Sequence, residues 1–152
     1  MNYLLDSSIV SDFYNFSAPA HKLILNKLSL FEDTDRVYVS VLCLYELAYG
    51  LANAPEDKKL LIREQLIKTP QDFELLPLFL EAAELFGQLK KSLQSHHALS
   101  ARQMQRHNID LMLAATAITT DSILISTDKG FVALQDLHPD FHFEEWLIIN
   151  DQ

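Results

Sequence analysis

The chain has 152 residues, 49% of them hydrophobic and 22% charged, which is enough apolar material for one sizeable core. Three glycines and five prolines leave no room for a long flexible linker, so a single domain over residues 1–152 is expected. A formal net charge of −9 excludes a protein that holds nucleic acid by bulk attraction alone, but not an enzyme whose acids gather around a metal ion.

The lone cysteine, Cys43, cannot close an internal disulfide, so a reducing cytosol is its natural setting. The opening MNYLLDSS has no basic region and meets Asp6 too early for a secretory signal. No apolar run approaches the ~20 residues that span a bilayer. A cytoplasmic protein with no membrane partner is expected.

In chain order, Tyr3 to Leu5 reads as a short buried strand ending at Asp6. A serine of Ser7-Ser8 then caps a helix carrying Ile9, Val10, Phe13 and Phe16. A second helix covers roughly Ala20 to Leu30, an acidic loop follows from Phe31 to Asp35, and Arg36 to Val39 is the second strand. Ser40 caps a helix from Val41 to about Ala52, in which Glu46 is the one charge among apolar residues. Pro55 starts an amphipathic helix to about Lys68 with an ordinary solvated face. Phe73 to Leu76 is a third strand, and Pro77 starts a helix to Ser92 or beyond.

From Leu85 to Ile109 the chain has no acidic residue, but it has Lys90, Lys91, Arg102, Arg106, His96, His97 and His107. That run reads either as a solvated loop or as the one stretch able to meet a polyanion. The histidines lack regular metal spacing and read as surface residues, and Cys43 reads as core.

Asp110 then opens an otherwise uncharged helix, Leu111 to Thr120, whose Ala114, Ala115 and Ala117 permit close packing. Asp121 and Ser122 make a turn into Ile123 to Ile125, a strand buried on both faces. Asp128 stands just past its carboxyl end. A short helix from Phe131 to Leu137 and an edge strand from Phe141 to Phe143 complete the series. Strands alternating with helices predict an α/β fold of three layers, α/β/α, around a mostly parallel sheet of four to five strands. Right-handed crossovers put the strand carboxyl ends along one rim, where ligands bind in such sheets.

Four carboxylates, Asp6, Glu46, Asp110 and Asp128, therefore stand at strand ends or in apolar helices. Crowded together they repel unless a cation neutralises them or some stay protonated. Hard oxygen donors without Cys/His ligand spacing select Mg²⁺ or Mn²⁺, and such ions serve in-line phosphodiester displacement. Each acid also has a plain structural reading: Asp6 as a helix cap, Asp110 as a complement to its helix dipole, and Asp128 as a turn former with Lys129 and Gly130. Glu46 resists such a reading, because a charge among apolar neighbours costs free energy unless partnered.

The segments LLDSSIVSDF, SVLCLYELAYG, NIDLMLAATAI and LISTDKGF together resemble the four signature segments of PIN-domain ribonucleases, in particular VapC toxins of type II toxin–antitoxin systems. The resemblance covers almost the whole chain in the right order. Carried over by position, Asp6, Glu46, Asp110 and Asp128 match that family's metal-binding acids, while Ser7 and Ser126 match its hydroxyl residues. The resemblance implies a Mg²⁺- or Mn²⁺-dependent endoribonuclease acting on structured RNA, often transfer or ribosomal RNA. It also implies a small cognate VapB-like antitoxin and a homodimer. Gly130 stands where many relatives carry a further acid. Lys90, Lys91, Arg102 and Arg106 are the expected RNA contacts. The alternatives are a catalytically retired PIN-like module that binds RNA or protein, a receiver-like signalling domain, and an aspartate phosphatase. The phosphatase would want a second Asp where Ser8 stands.

Overall fold

The computed structural model describes residues 1–147, so the last five residues of the expected domain lie outside the described part. Its frame is a sheet of five strands: β1 (Asn2–Leu5), β2 (Arg36–Ser40), β3 (Glu74–Leu76), β4 (Ser122–Ile125) and β5 (His142–Glu144). Their order is β3-β2-β1-β4-β5, and every pairing is parallel. The chain builds outward from β1 to β2 and β3, then returns to the other side of β1 for β4 and β5. The register sets Leu5 level with Val39 on one side and with Ile125 on the other. Strand order thus reverses at β1, and a crevice opens beyond the carboxyl ends of β1 and β4.

Alternation along the strands sorts the side chains into two cores. Leu5, Val39 and Ile125 face a layer made by α1 (Ser7–Tyr14), α2 (Pro19–Ser29) and α3 (Val41–Asn53), through Ile9, Val10, Ile24 and Cys43. Leu4, Leu76 and Leu124 face the opposite layer, α5 (Leu80–His97), α7 (Asn108–Thr119) and α8 (Gly130–Gln135). Helix α7 is buried nearly all round, and its Leu111, Leu113, Ala114, Ala115 and Ala117 have no exposed surface. Small side chains there bring α7 close to β4, which holds Asp110 near the sheet's rim.

Four elements differ from the sequence expectation. The first helix is capped by Asp6, whose Oδ1 accepts the Ser7 backbone N–H at 2.7 Å, rather than by a serine. It ends at Tyr14, so Phe16 lies beyond it and is 78% exposed. Helix α4 (Glu56–Asp72) runs past Lys68 through Pro70, which sits in its last turn. There a missing N–H removes one bond from a helix already ending. Pro77 does not start α5, which begins at Leu80. Proline instead holds the preceding Leu76 extended, as the last residue of β3 requires. The basic run is not a loop, since Lys90 and Lys91 lie in α5, Arg102 in α6 (Ala101–Met104) and Arg106 in a 3₁₀ turn.

Candidate active site

Asp6 is the first residue past β1 and is 8% exposed. Its backbone N–H donates to the Ile125 carbonyl at 2.9 Å, which extends the β1–β4 ladder by one bond. Both carboxylate oxygens are committed. Oδ1 accepts the Ser7 N–H, and Oδ2 accepts the Ser126 hydroxyl at 2.6 Å. Ser126 is fully buried, and its Oγ also accepts the Asp128 N–H at 3.0 Å. One hydroxyl therefore ties the acid after β1 to the acid after β4.

Asp128 is exposed and closes a turn in which its Oδ1 accepts the Gly130 N–H at 2.8 Å. A Cβ at position 130 would stand 3.1 Å from that oxygen, so a larger residue there would require the Asp128 side chain to shift by a few tenths of an ångström. The absent acid at Gly130 thus goes with the observed aim of Asp128. Thr127 donates to Ser8 Oγ at 3.3 Å and ties the same loop to α1.

Glu46 projects from the second turn of α3. Its expected apolar surroundings are not found: Tyr45 and Tyr49 are 70% and 75% exposed, and Glu46 is exposed with them. The helix is apolar in composition, but its outer face meets solvent, so Glu46 is only partly desolvated. Its carboxyl nevertheless leans into the crevice, where oxygens of Glu46 and Asp6 and the Cys43 sulfur lie within 4.8 Å of one another. Partial desolvation, then the Asp6 charge, push the Glu46 carboxyl up, and a Ser7 hydrogen bond draws it back.

Asp110, half-buried in the first turn of α7, stands outside that close group but within reach of its charges. Its pKa is pushed up to about 6, first by burial, then by the charges of Asp128, Asp6 and Glu46 in that order. The four acids thus share one electrostatic environment, from one strand end, one post-strand loop and two helices.

Cys43 backs this group. Burial first, then Asp6 and Glu46, push its thiol far up, and the sulfur donates weakly to the Leu5 carbonyl at 3.8 Å. The donors facing the crevice are carboxylate oxygens, with the Cys43 sulfur behind them. Those oxygens fit Mg²⁺ or Mn²⁺.

The basic residues are arranged less uniformly. Lys90 is half-buried, donates to Asn108 Oδ1 at 2.9 Å, and lies 5.7 Å from the centre of the Phe86 ring. It braces the start of α7 two residues before Asp110. Lys91, Arg102 and Arg106 are exposed, and none forms an ion pair among the described residues. Two of the histidines, exposed His97 and half-buried His107, have a further feature in common. His97 and His107 line a cavity that also touches Asp110 and Gly130. Only their position within the acid-free run hinted at this.

A parallel α/β sheet with carboxylates gathered beyond its strand ends at the switch point is a setting in which such folds bind ligands. Within that class of fold the chain belongs to the PIN domain family, whose profile matches residues 3–137. Members of this family are in general nucleases and usually use a divalent metal. No curated protein matches the chain. Among solved structures, it is similar to a chain of VapBC2 from Rickettsia felis bound to a DNA fragment from their promoter (21% identity, 96% of this chain and 99% of that one, TM-score 0.75). It is also similar to FitAcB from Neisseria gonorrhoeae (22%, 98% and 100%, 0.73). A third is VapBC-5 from Mycobacterium tuberculosis, a member of the VapBC family of toxin-antitoxin systems (24%, 95% and 96%, 0.64). At these identities the likeness establishes the fold.

Proposed function

We propose that the protein is a metal-dependent endoribonuclease that hydrolyses phosphodiester bonds of structured RNA, and that it is the toxin of a toxin–antitoxin pair. The observation that carries the reading is the gathering of Asp6, Glu46, Asp110 and Asp128 at the sheet's rim, with Asp6 and Glu46 oxygens within 4.8 Å of each other and the Asp110 carboxyl raised by burial first and by the charges of Asp128, Asp6 and Glu46 after it. Folding holds these repelling charges together, and a cation is the group that relieves them.

Asp6, Glu46, Asp110 and Asp128 would hold Mg²⁺ or Mn²⁺, which when bound activates water and offsets the charge of the phosphodiester under attack. The chain's own contribution is position. Ser126 and the Ser7 N–H fix the Asp6 carboxylate at both oxygens, so it needs no reorientation when a cation arrives. Ser126 and Ser7 are thus positioning residues. Gly130 leaves room for the Asp128 turn, in which the Asp128 Oδ1 accepts the Gly130 N–H. Exposed Lys91, Arg102 and Arg106 are the proposed phosphate contacts, with Lys90 steadying α7.

Two surfaces support the proposed partners. Tyr45 and Tyr49 flank Glu46, beside a cleft lined by Ser7, Ser11, Leu47 and Ile62, where a small antitoxin would cover the acids. Leu78 and Leu80, 54% and 86% exposed at the start of α5, offer an apolar face for a homodimer.

The test is cleavage of a mixed transfer and ribosomal RNA pool in Mn²⁺ or Mg²⁺, with Asp6→Asn and Asp110→Asn beside the unaltered protein. Cutting that disappears in excess EDTA and in both variants is expected. Equal cutting by the variants would refute the assignment of the site. Tight metal binding with no cutting would favour the retired binding module instead.

A further inference from the structure

Beside the acids lies a cavity of about 260 Å³, walled by Leu93, His97, Leu99, His107 and Ala133, with Asp110 at its edge. Its lining is mostly aliphatic, and its polar groups are two imidazoles and that one carboxylate. We propose that this cavity seats an unstacked base of the RNA, next to the phosphate that is cut, with His97 and His107 as the aromatic partners. The inference rests on the nuclease reading, and assigns that site a base-reading pocket and its specificity-determining residues.

Three observations carry it. First, the cavity is continuous with the candidate site, because Asp110 and Gly130 belong to both the cavity wall and the acid cluster or its turn. Whatever fills it lies against Asp110 and Gly130. Secondly, the chemistry of the wall suits a base rather than a phosphate or sugar. Single-stranded RNA is read by stacking splayed bases on aromatic rings, His included, and by hydrogen bonds to base edges. A lining of aliphatic side chains with two imidazoles among them offers both, whereas no Lys or Arg lines it. Thirdly, the surrounding charge attracts an RNA strand. The segment Leu85 to Ile109, which supplies four of the wall residues, holds Lys90, Lys91, Arg102 and Arg106 and no acid, in a chain of net charge −9.

The backbone is shaped for this arrangement. Helix α5 stops at His97, and Ala98 adopts φ 49° and ψ 41°, the left-handed conformation that alanine seldom takes. That turn sends His97 and Leu99, on either side of it, to the same cavity.

The experiment has two arms. In the first, the four nucleoside 5′-monophosphates and ribose 5-phosphate are titrated in EDTA into the protein, and the imidazole proton resonances are followed. Signals of His97 and His107 are expected to move with at least one nucleotide, to stay still with ribose 5-phosphate, and to stay still with every ligand in Ala133→Phe. Equal movement with ribose 5-phosphate would make the cavity a phosphate site and overturn the proposal, as would no movement with any nucleotide. In the second arm, a pool of RNA hairpins with randomised loops is cut and the ends sequenced. A base preference at one position beside the cut is expected, falling about tenfold in His97→Ala and His107→Ala, as loss of a stacking contact allows. The same preference in both variants would sink the pocket while leaving the nuclease standing. Histidine shifts without any cutting by the unaltered protein would sink the nuclease and retain the pocket.

Discussion

Asp110 carries the clearest single-residue consequence of packing four acids into one crevice. Its carboxyl titrates normally near 3.8 in an open chain and is pushed up to about 6 in the fold, by burial first and by Asp128, Asp6 and Glu46 after it. Between those values the folded chain binds more protons than the unfolded one, so this group's contribution to stability falls as pH rises from about 4 to about 6 and stays lost above that. Asp110→Asn removes the charge, and without metal it should therefore be the more stable protein at pH 7.5. The carboxyl is only half-buried, and solvent screening limits the gain to about 1 kcal/mol, or about 2–4 °C in Tm for a chain of this size. Melting both proteins in EDTA from pH 4.5 to 8 checks the sign, since the difference should shrink below pH 6. Added Mn²⁺ should reverse the order, because a ligand that binds only the folded acid cluster raises the unaltered protein's Tm by mass action. A Tm for Asp110→Asn below that of the unaltered protein in EDTA at pH 7.5 would mean that the clustered charges do not oppose folding.

At the scale of elements, most of the frame was legible because its signals are local. The strands following Met1 and Asp121 are short apolar runs, Ser40 does cap α3 through the Leu42 N–H, and the alanines of α7 announced a helix that packs closely. Less legible were features set by neighbours distant in sequence. Glu46 looked buried because α3 is apolar in composition, yet which face of α3 meets the sheet depends on packing that one sequence does not display. Lys90 looked like a phosphate contact, and its bond to Asn108 spans two helices that no local pattern pairs. The turn after α5 is of this kind too, since only the fold shows that Ala98 must be left-handed. Ala98→Gly tests it. The left-handed conformation costs an alanine about 1–2 kcal/mol, and glycine relieves this while giving up about 0.5–1 kcal/mol to the freer unfolded chain. A net gain of up to about 1.5 kcal/mol is expected, or up to about 6 °C in Tm. A Tm lowered by Ala98→Gly would show that the turn is not left-handed in solution.

Across the whole molecule, charge is distributed against the proposed substrate, and this makes the basic residues testable as a group. The net charge of −9 repels RNA at long range, so attraction must come from a restricted area close to the crevice. Lys91, Arg102 and Arg106 are exposed on the helices leading into α7, and no carboxylate within the described residues neutralises them. Counterion release makes the salt dependence of binding a count of phosphate contacts, with each contact to single-stranded RNA adding about 0.7 to the slope of log affinity against log salt. Replacing Arg102 and Arg106 by Glu in an Asp6→Asn background, where RNA stays uncut, should weaken binding and flatten that slope by about 1.4 if both arginines meet phosphates. Fluorescence anisotropy of a labelled RNA across a salt series measures both quantities. Weaker binding with the slope unchanged would point to a general field effect, because adding negative charge to an already acidic protein repels RNA without removing a specific contact. Affinity and slope both unchanged would move the RNA to another face of the molecule. The expected result, both altered together, would place the strand along α5 and α6, on the path that brings one base to the cavity beside Asp110.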